Sequence, residues 1–133
     1  MNLPGVLREV GWGVDIDIDH QALVEAFIEL VNEPDDGRRR AGIEALFTEG
    51  AEYCDPDVRV EGREELVGHL ARLRASFPPG VTFSLTGAVD GHHAQARFGW
   101  AFGEQGAPFL DGTDVALFEG TRIKGVYAFS NAA

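Results

Sequence analysis

Pro78-Pro79-Gly80 divides this chain into two periods. Before it, apolar residues recur at helical spacing; after it, they alternate. Proline cannot continue a helix or donate to a strand ladder, so the boundary is firm. Helices first and strands afterwards make an α+β chain rather than an alternating α/β one. The first predicted helix runs from His20 to Asn32, with Leu23, Val24, Phe27, Ile28, Leu30 and Val31 as one broad apolar face and Asp19 as its N-cap. Glu33-Pro34-Asp35-Asp36-Gly37 breaks it. A second helix is predicted over Arg38 to Phe47, and a third over Arg63 to Phe77 with Leu66, Val67, Leu70 and Leu73 as its stripe. A short extended piece, Ala51 to Asp55, lies between them.

Past the boundary the chain reads as an antiparallel meander. Its predicted strands are Val81 to Thr86, His93 to Phe102, Phe109 to Glu119 and Arg122 to Asn131. Asp90-Gly91 is the first hairpin signal. The expectation is a cone: a curled antiparallel sheet packed on three N-terminal helices, a cystatin-like α+β barrel with a cavity between its layers. Gly99, Ala101, Gly112, Ala116 and Ala128 are the small residues expected to line it. A length of 133 residues suits one domain. We expect it to span 19–133, behind an extension over 1–18.

Charge narrows the partners. The net charge of −11 repels phosphate backbones and anionic membranes, so no nucleic-acid or membrane partner is expected. Arg38-Arg39-Arg40, beside Asp35-Asp36, reads as a solvated helix start. There is no signal-peptide pattern and no apolar run of membrane-spanning length. A single cysteine, Cys54, fits a reducing compartment, and a cytoplasmic location is expected. Asp15, Asp17 and Asp19 alternate as in a calcium loop, but His20 stands where that loop needs Gly and Ala26 where it needs Glu. His92 and His93 are adjacent, and neighbours on a strand face opposite ways, so no metal site is expected.

The order of pieces carries a resemblance: three helices, a Tyr53-x-Asp55-Pro56 stretch ahead of a Gly62-Arg63-Glu64-Glu65-Leu66 helix, and Gly112-Thr113-Asp114-Val115 in a late strand. From about Asp19 to Asn131 the chain resembles the nuclear transport factor 2-like superfamily, and within it the SnoaL-like polyketide cyclases and ketosteroid isomerases. Similarity to the isomerases implies a general-base role for Asp55 and a protonated, oxyanion-donating role for Asp114. Their third group is a tyrosine in the first helix, where this chain has Phe27 in Phe27-Ile28-Glu29-Leu30-Val31. A missing oxyanion donor is worth on the order of 3 kcal/mol of barrier, so steroid isomerisation is expected to be absent or very weak. The related limonene epoxide hydrolases are matched in part by Tyr53, Asp55 and Arg97, but Gly99 and Ala128 occupy the places of their two further acids. That argues against epoxide hydrolysis by their relay.

The residues themselves leave alternatives open. Asp55 before Pro56 is either a pocket carboxylate or a solvated turn acid. Asp114, in an apolar strand, is a proton donor or base, or else a structural partner of Arg97. Two strand parities compete. The family comparisons turn Arg97 into the cavity with Gly99, leaving Phe98, Trp100 and Phe102 on an outer face that a second copy would cover. The other parity buries Phe98 and Trp100 and exposes Arg97. The first is favoured, and with it a homodimer. An inward Arg97 would keep Asp114 ionised and favour an anionic or carbonyl-bearing ligand. His93 is an alternative acid–base group. Cys54, facing away from Tyr53 and Asp55, reads as core. The resulting expectation is a cofactor-independent isomerase, cyclase or dehydratase. It would act by proton transfer on a small apolar carbonyl substrate, with Asp55, Asp114 and His93 catalytic and Phe27, Tyr53, Arg97, Gly99 and Ala128 binding. The alternative is a non-catalytic ligand-binding or dimerisation module of the same fold.

Overall fold

The computed structural model describes residues 18–131. The extension expected over 1–18, Ile18 apart, and Asp15 and Asp17 lie outside the described residues. Helix α1 (His20–Asn32) starts where Asp19 accepts a hydrogen bond from the Ala22 amide at 3.0 Å, the expected cap. It buries Val24, Phe27, Leu30 and Val31. Helix α2 (Asp36–Leu46) begins two residues before the expected start, capped by Asp35 on the Arg38 amide at 2.8 Å. The arginine run is not simply solvated. Arg39 is only 3% exposed, and its guanidinium donates to the Glu33 carbonyl and to Asp36. Arg40 pairs with Glu64 on α3 (Arg63–Ala75), joining the two helices.

The sheet is mixed, not purely antiparallel, and has seven strands among the described residues: β1 (Phe47–Cys54), β2 (Arg59–Glu61), β3 (Thr82–Leu85), β4 (Asp90–His92), β5 (Gln95–Glu104), β6 (Ala107–Glu119) and β7 (Arg122–Ser130). Their order is β2-β1-β7-β6-β5-β3, with β4 on the β3 edge of β5. The expected extra strand is a full eight residues, and β1 lies parallel to β7. A parallel neighbour cannot be joined by a hairpin, so nothing local in the sequence announces it. The curled sheet wraps the helices without closing into a barrel, since β2 and β3 end the strand path.

Register decides which side chains face the helices. Phe98 lies opposite Asp114, which lies opposite Ala128; Trp100, Gly112 and Ser130 form the next row. Both rows face inward, with Phe98 and Trp100 buried. Arg97, Val115, Tyr127 and Cys54 form an outward row, and Gly99, Thr113 and Phe129 another. The favoured parity is therefore corrected: Arg97 and Gly99 are outside. Burying two large aromatic side chains is worth several kcal/mol, while an inward guanidinium would need a paired partner. Cys54 is half-buried on the outer face rather than in the core. The hairpin is also displaced. Asp90 and Gly91 belong to β4, and the turn is made at His93 with φ of 52°.

Candidate active site

At the end of β1 the chain must reverse into β2, and Asp55 makes that turn. Its Oδ1 accepts the amides of Asp57 at 2.8 Å and Val58 at 2.9 Å. Its Oδ2 accepts the Tyr53 hydroxyl at 3.0 Å. A carboxylate offers about four acceptor positions, so these three donors leave one on Oδ2. Asp55 is thus both of the things its sequence allowed. One oxygen ties the turn, and the residue lines a cavity of about 300 Å³ between sheet and helices. That volume sits at the small end of ligand pockets.

Phe27, Ile28 and Val31 from α1, Leu70 and Leu73 from α3, and Phe83, Trp100, Leu110 and Ala128 from the sheet supply the apolar walls. Phe27 is fixed by edge-on contacts with Phe47 and Phe98. Tyr53, Asp55, Asp57, Asp114 and Ser130 add the polar groups. Among the described residues no lysine, arginine or histidine lines this cavity.

Asp114 is buried deep in the wall, 6% exposed, and its Oδ1 accepts the Trp100 indole N–H at 2.7 Å. Burial pushes its pKa up to about 7, against the pull of the Trp100 hydrogen bond and with further upward help from the Asp55 charge. Near neutral pH much of Asp114 is therefore a carboxylic acid, with its second oxygen available to donate. Gly112 makes the Trp100 arrangement possible: a Cβ there would overlap the indole and the Phe129 carbonyl oxygen. Burial, with the adjacent Asp55 charge and hydrogen bond, raises the Tyr53 pKa, so its hydroxyl stays a donor.

Of the residues anticipated from sequence, Phe27, Tyr53, Asp55, Asp114 and Ala128 line the cavity. Three do not. Arg97 pairs with Asp90 at 2.9 Å, its side chain 72% exposed, so it is not the partner of Asp114. Gly99 lies on the outer face against Thr86. His93 sits in the β4–β5 turn, where its carbonyl accepts from His20. Two residues were missed. Trp100 was assigned outward by the parity error. His69 is three residues from Leu66 and four before Leu73, so the apolar stripe of α3 already placed it inward. Among the described residues no group of three or more His, Cys, Asp or Glu could hold a metal ion.

A family model described as the SnoaL-like domain matches residues 24–126. Among solved structures, a presumed isomerase of the SnoaL-like family from Agrobacterium tumefaciens is similar at 30% identity and a TM-score of 0.78, covering 85% of this chain and 97% of that one. A presumed ketosteroid isomerase from Kribbella flavida is 19% identical with a TM-score of 0.64, over 86% of this chain and 78% of that one. A ketosteroid isomerase-like fold from Catenulispora acidiphila, solved with trimethylamine, is 18% identical with a TM-score of 0.65, over 80% and 82%. No curated protein matches in sequence.

Proposed function

Because the chain belongs to the SnoaL-like domain family, whose fold is shared by isomerases and polyketide cyclases, we propose that it is a cofactor-independent acid–base enzyme. It moves a proton next to the carbonyl of a small, neutral, largely apolar substrate. One observation carries this reading: a hydrogen-bonded carboxylate and a buried carboxyl with a pKa of about 7 open onto one otherwise apolar cavity. Asp55 takes the proton through the remaining position on Oδ2. Asp114, protonated, donates to the oxygen that becomes an oxyanion, while Trp100 occupies its other oxygen. Arg97 and His93 have no part. Without Arg97 the described cavity walls offer an anionic ligand no counter-charge. The test is exchange of deuterium from solvent into small enolisable ketones, followed by proton NMR. Wild-type protein should accelerate it, and Asp55→Asn should lose at least about a hundredfold while keeping the turn, because the amide oxygen still accepts both backbone amides. Exchange no faster than buffer across a panel of ketones overturns the reading.

A second reading rests on a different feature of the same walls. Aromatic rings and three carboxyl groups, with no basic residue among the described walls, also suit a non-catalytic receptor for a small organic cation. The trimethylamine complex of the Catenulispora protein is in keeping with that chemistry. The two readings have opposite pH signs. A cation binds tighter as Asp114 ionises through about pH 7, whereas a carbonyl accepting from protonated Asp114 binds more weakly.

The homodimer belongs to the same proposal on a new basis. Phe98 and Trp100 point inward, but Val115, Leu117 and Tyr127 are only half-buried on the outer face, and Phe129 is 59% exposed. A cytoplasmic setting is proposed from the single thiol; no helix among the described residues is long and apolar enough to cross a membrane.

A further inference from the structure

The side chain of His69 is 14% exposed, and its Nε2 is buried without a hydrogen-bond partner among the described residues. Buried polar atoms are nearly always paired, so an orphan nitrogen next to a candidate site is informative. The Asp55 Oδ2 lies 4.0 Å from it, too far for a hydrogen bond and about 1 Å from making one. The ring is held in place by Tyr53, whose own ring lies 5.0 Å away at a tilt of 35°. Tyr53 donates to that same Oδ2, which has one acceptor position left. Burial lowers the His69 pKa; the Asp55 charge opposes this and Arg72, one turn along α3, adds to it. At neutral pH the ring is therefore neutral and carries a single proton.

We propose that His69 is a positioning residue for Asp55: it carries its proton on Nε2 and donates it to Oδ2, so that Tyr53 and His69 together fix the carboxylate from two sides. This rests on the reading of Asp55 as the base of the site. The bond forms by a small rotation of the Asp55 side chain toward α3, for which the two amide bonds to Oδ1 act as the pivot. With both amides, Tyr53 and His69 bound, the carboxylate has no acceptor position free at rest; the His69 bond opens, as at the 4.0 Å of this structure, to release the Oδ2 position through which Asp55 takes the proton. His69 does not line the cavity and does not touch the ligand.

The test needs no substrate, so it stands apart from the exchange assay. Nitrogen-15 NMR of the full chain at pH 7.5 should show Nε2 as the protonated ring nitrogen. Carboxyl carbon-13 NMR at the same pH should show the Asp55 side-chain resonance displaced in His69→Phe, as expected when a carboxylate loses a hydrogen-bond donor. His69→Gln, which keeps a donor, should recover part of that displacement. The Asp114 resonance serves as the control for a general loss of packing and should move much less. A proton on Nδ1 in the wild type overturns the proposal, as does an Asp55 resonance that stays in place in a folded His69→Phe. If His69→Phe does not fold, the wild-type tautomer decides. A positive result here with no ketone exchange would leave His69 paired to Asp55 and the catalytic reading refuted.

Discussion

At the scale of single residues, the proposed acid–base site turns on Asp55, Asp114 and the missing hydroxyl at position 27. An inward Arg97 would have ionised Asp114 and disabled a second donor, but Arg97 is on the surface and Asp114 keeps its proton up to about pH 7. What is missing is the hydroxyl where Phe27 stands at the cavity wall. Phe27→Tyr should therefore raise ketone exchange by roughly a hundredfold, about 3 kcal/mol of oxyanion stabilisation, if the substrate oxygen lies between positions 27 and 114. An unchanged rate would place that oxygen elsewhere. Isomerisation of a 3-oxo-Δ5 steroid by the wild type should stay absent or very weak. Trp100→Phe is a complementary probe. It removes the indole hydrogen bond to Asp114, so the Asp114 midpoint should rise above about 7, as read by carboxyl carbon-13 titration. Both carboxyls could be found from sequence because Asp-Pro before a helix and a lone acid in an apolar strand are local signals. Their partners could not, since Trp100 meets Asp114 only through strand pairing and His69 meets Asp55 only through the packing of α3.

At the scale of elements, the informative error is one of register. Side chains on a strand have a period of two, so a single choice of parity moved Arg97, Gly99, Phe98 and Trp100 together. Alternation in β5 was plain from sequence, but the inward set was chosen by analogy rather than by size. Two large aromatics outweigh one arginine in deciding which face is dry. The structure reverses a consequence as well. An Arg97 buried against Asp114 would have made Arg97→Leu costly, whereas its exposed pairing with Asp90 makes the change worth less than about 0.5 kcal/mol. Gly112→Ala on the neighbouring strand should cost far more, roughly 1–3 kcal/mol, because its methyl group meets the Trp100 indole and the Phe129 carbonyl. Urea unfolding of the two variants side by side measures the contrast. Equal midpoints would contradict the register of β5 against β6.

At the scale of the whole molecule, the three helices among the described residues and their order before most strands were readable because each period is local. The open edge, the parallel β1–β7 pair and the cavity depend on distant contacts. The outer sheet face gives the first test at this scale. Val115→Glu would place an unpaired charge at the centre of a dimer contact and should yield a monomer by light scattering; a wild-type monomer at micromolar concentration would end the proposal. The buried acid gives the second. Asp114 titrates near 3.8 when exposed and at about 7 when folded, so between those values the folded protein holds the extra proton. Stability is therefore unaffected by this group below pH 3.8, falls as pH rises from there through about 7, and is level above it. The full difference is roughly 4 kcal/mol for a gap of about three pH units, less whatever the wall relaxes. Asp114→Asn carries no titrating proton and keeps an oxygen for the Trp100 indole to donate to. Its denaturation free energy between pH 5 and 8 should thus stay nearly flat where that of the wild type declines. The net charge of −11 adds a repulsion that also grows with pH, but that background is common to both proteins. The difference between the two curves isolates Asp114, and parallel curves would mean that the carboxyl is ionised in the native state and cannot serve as the donor.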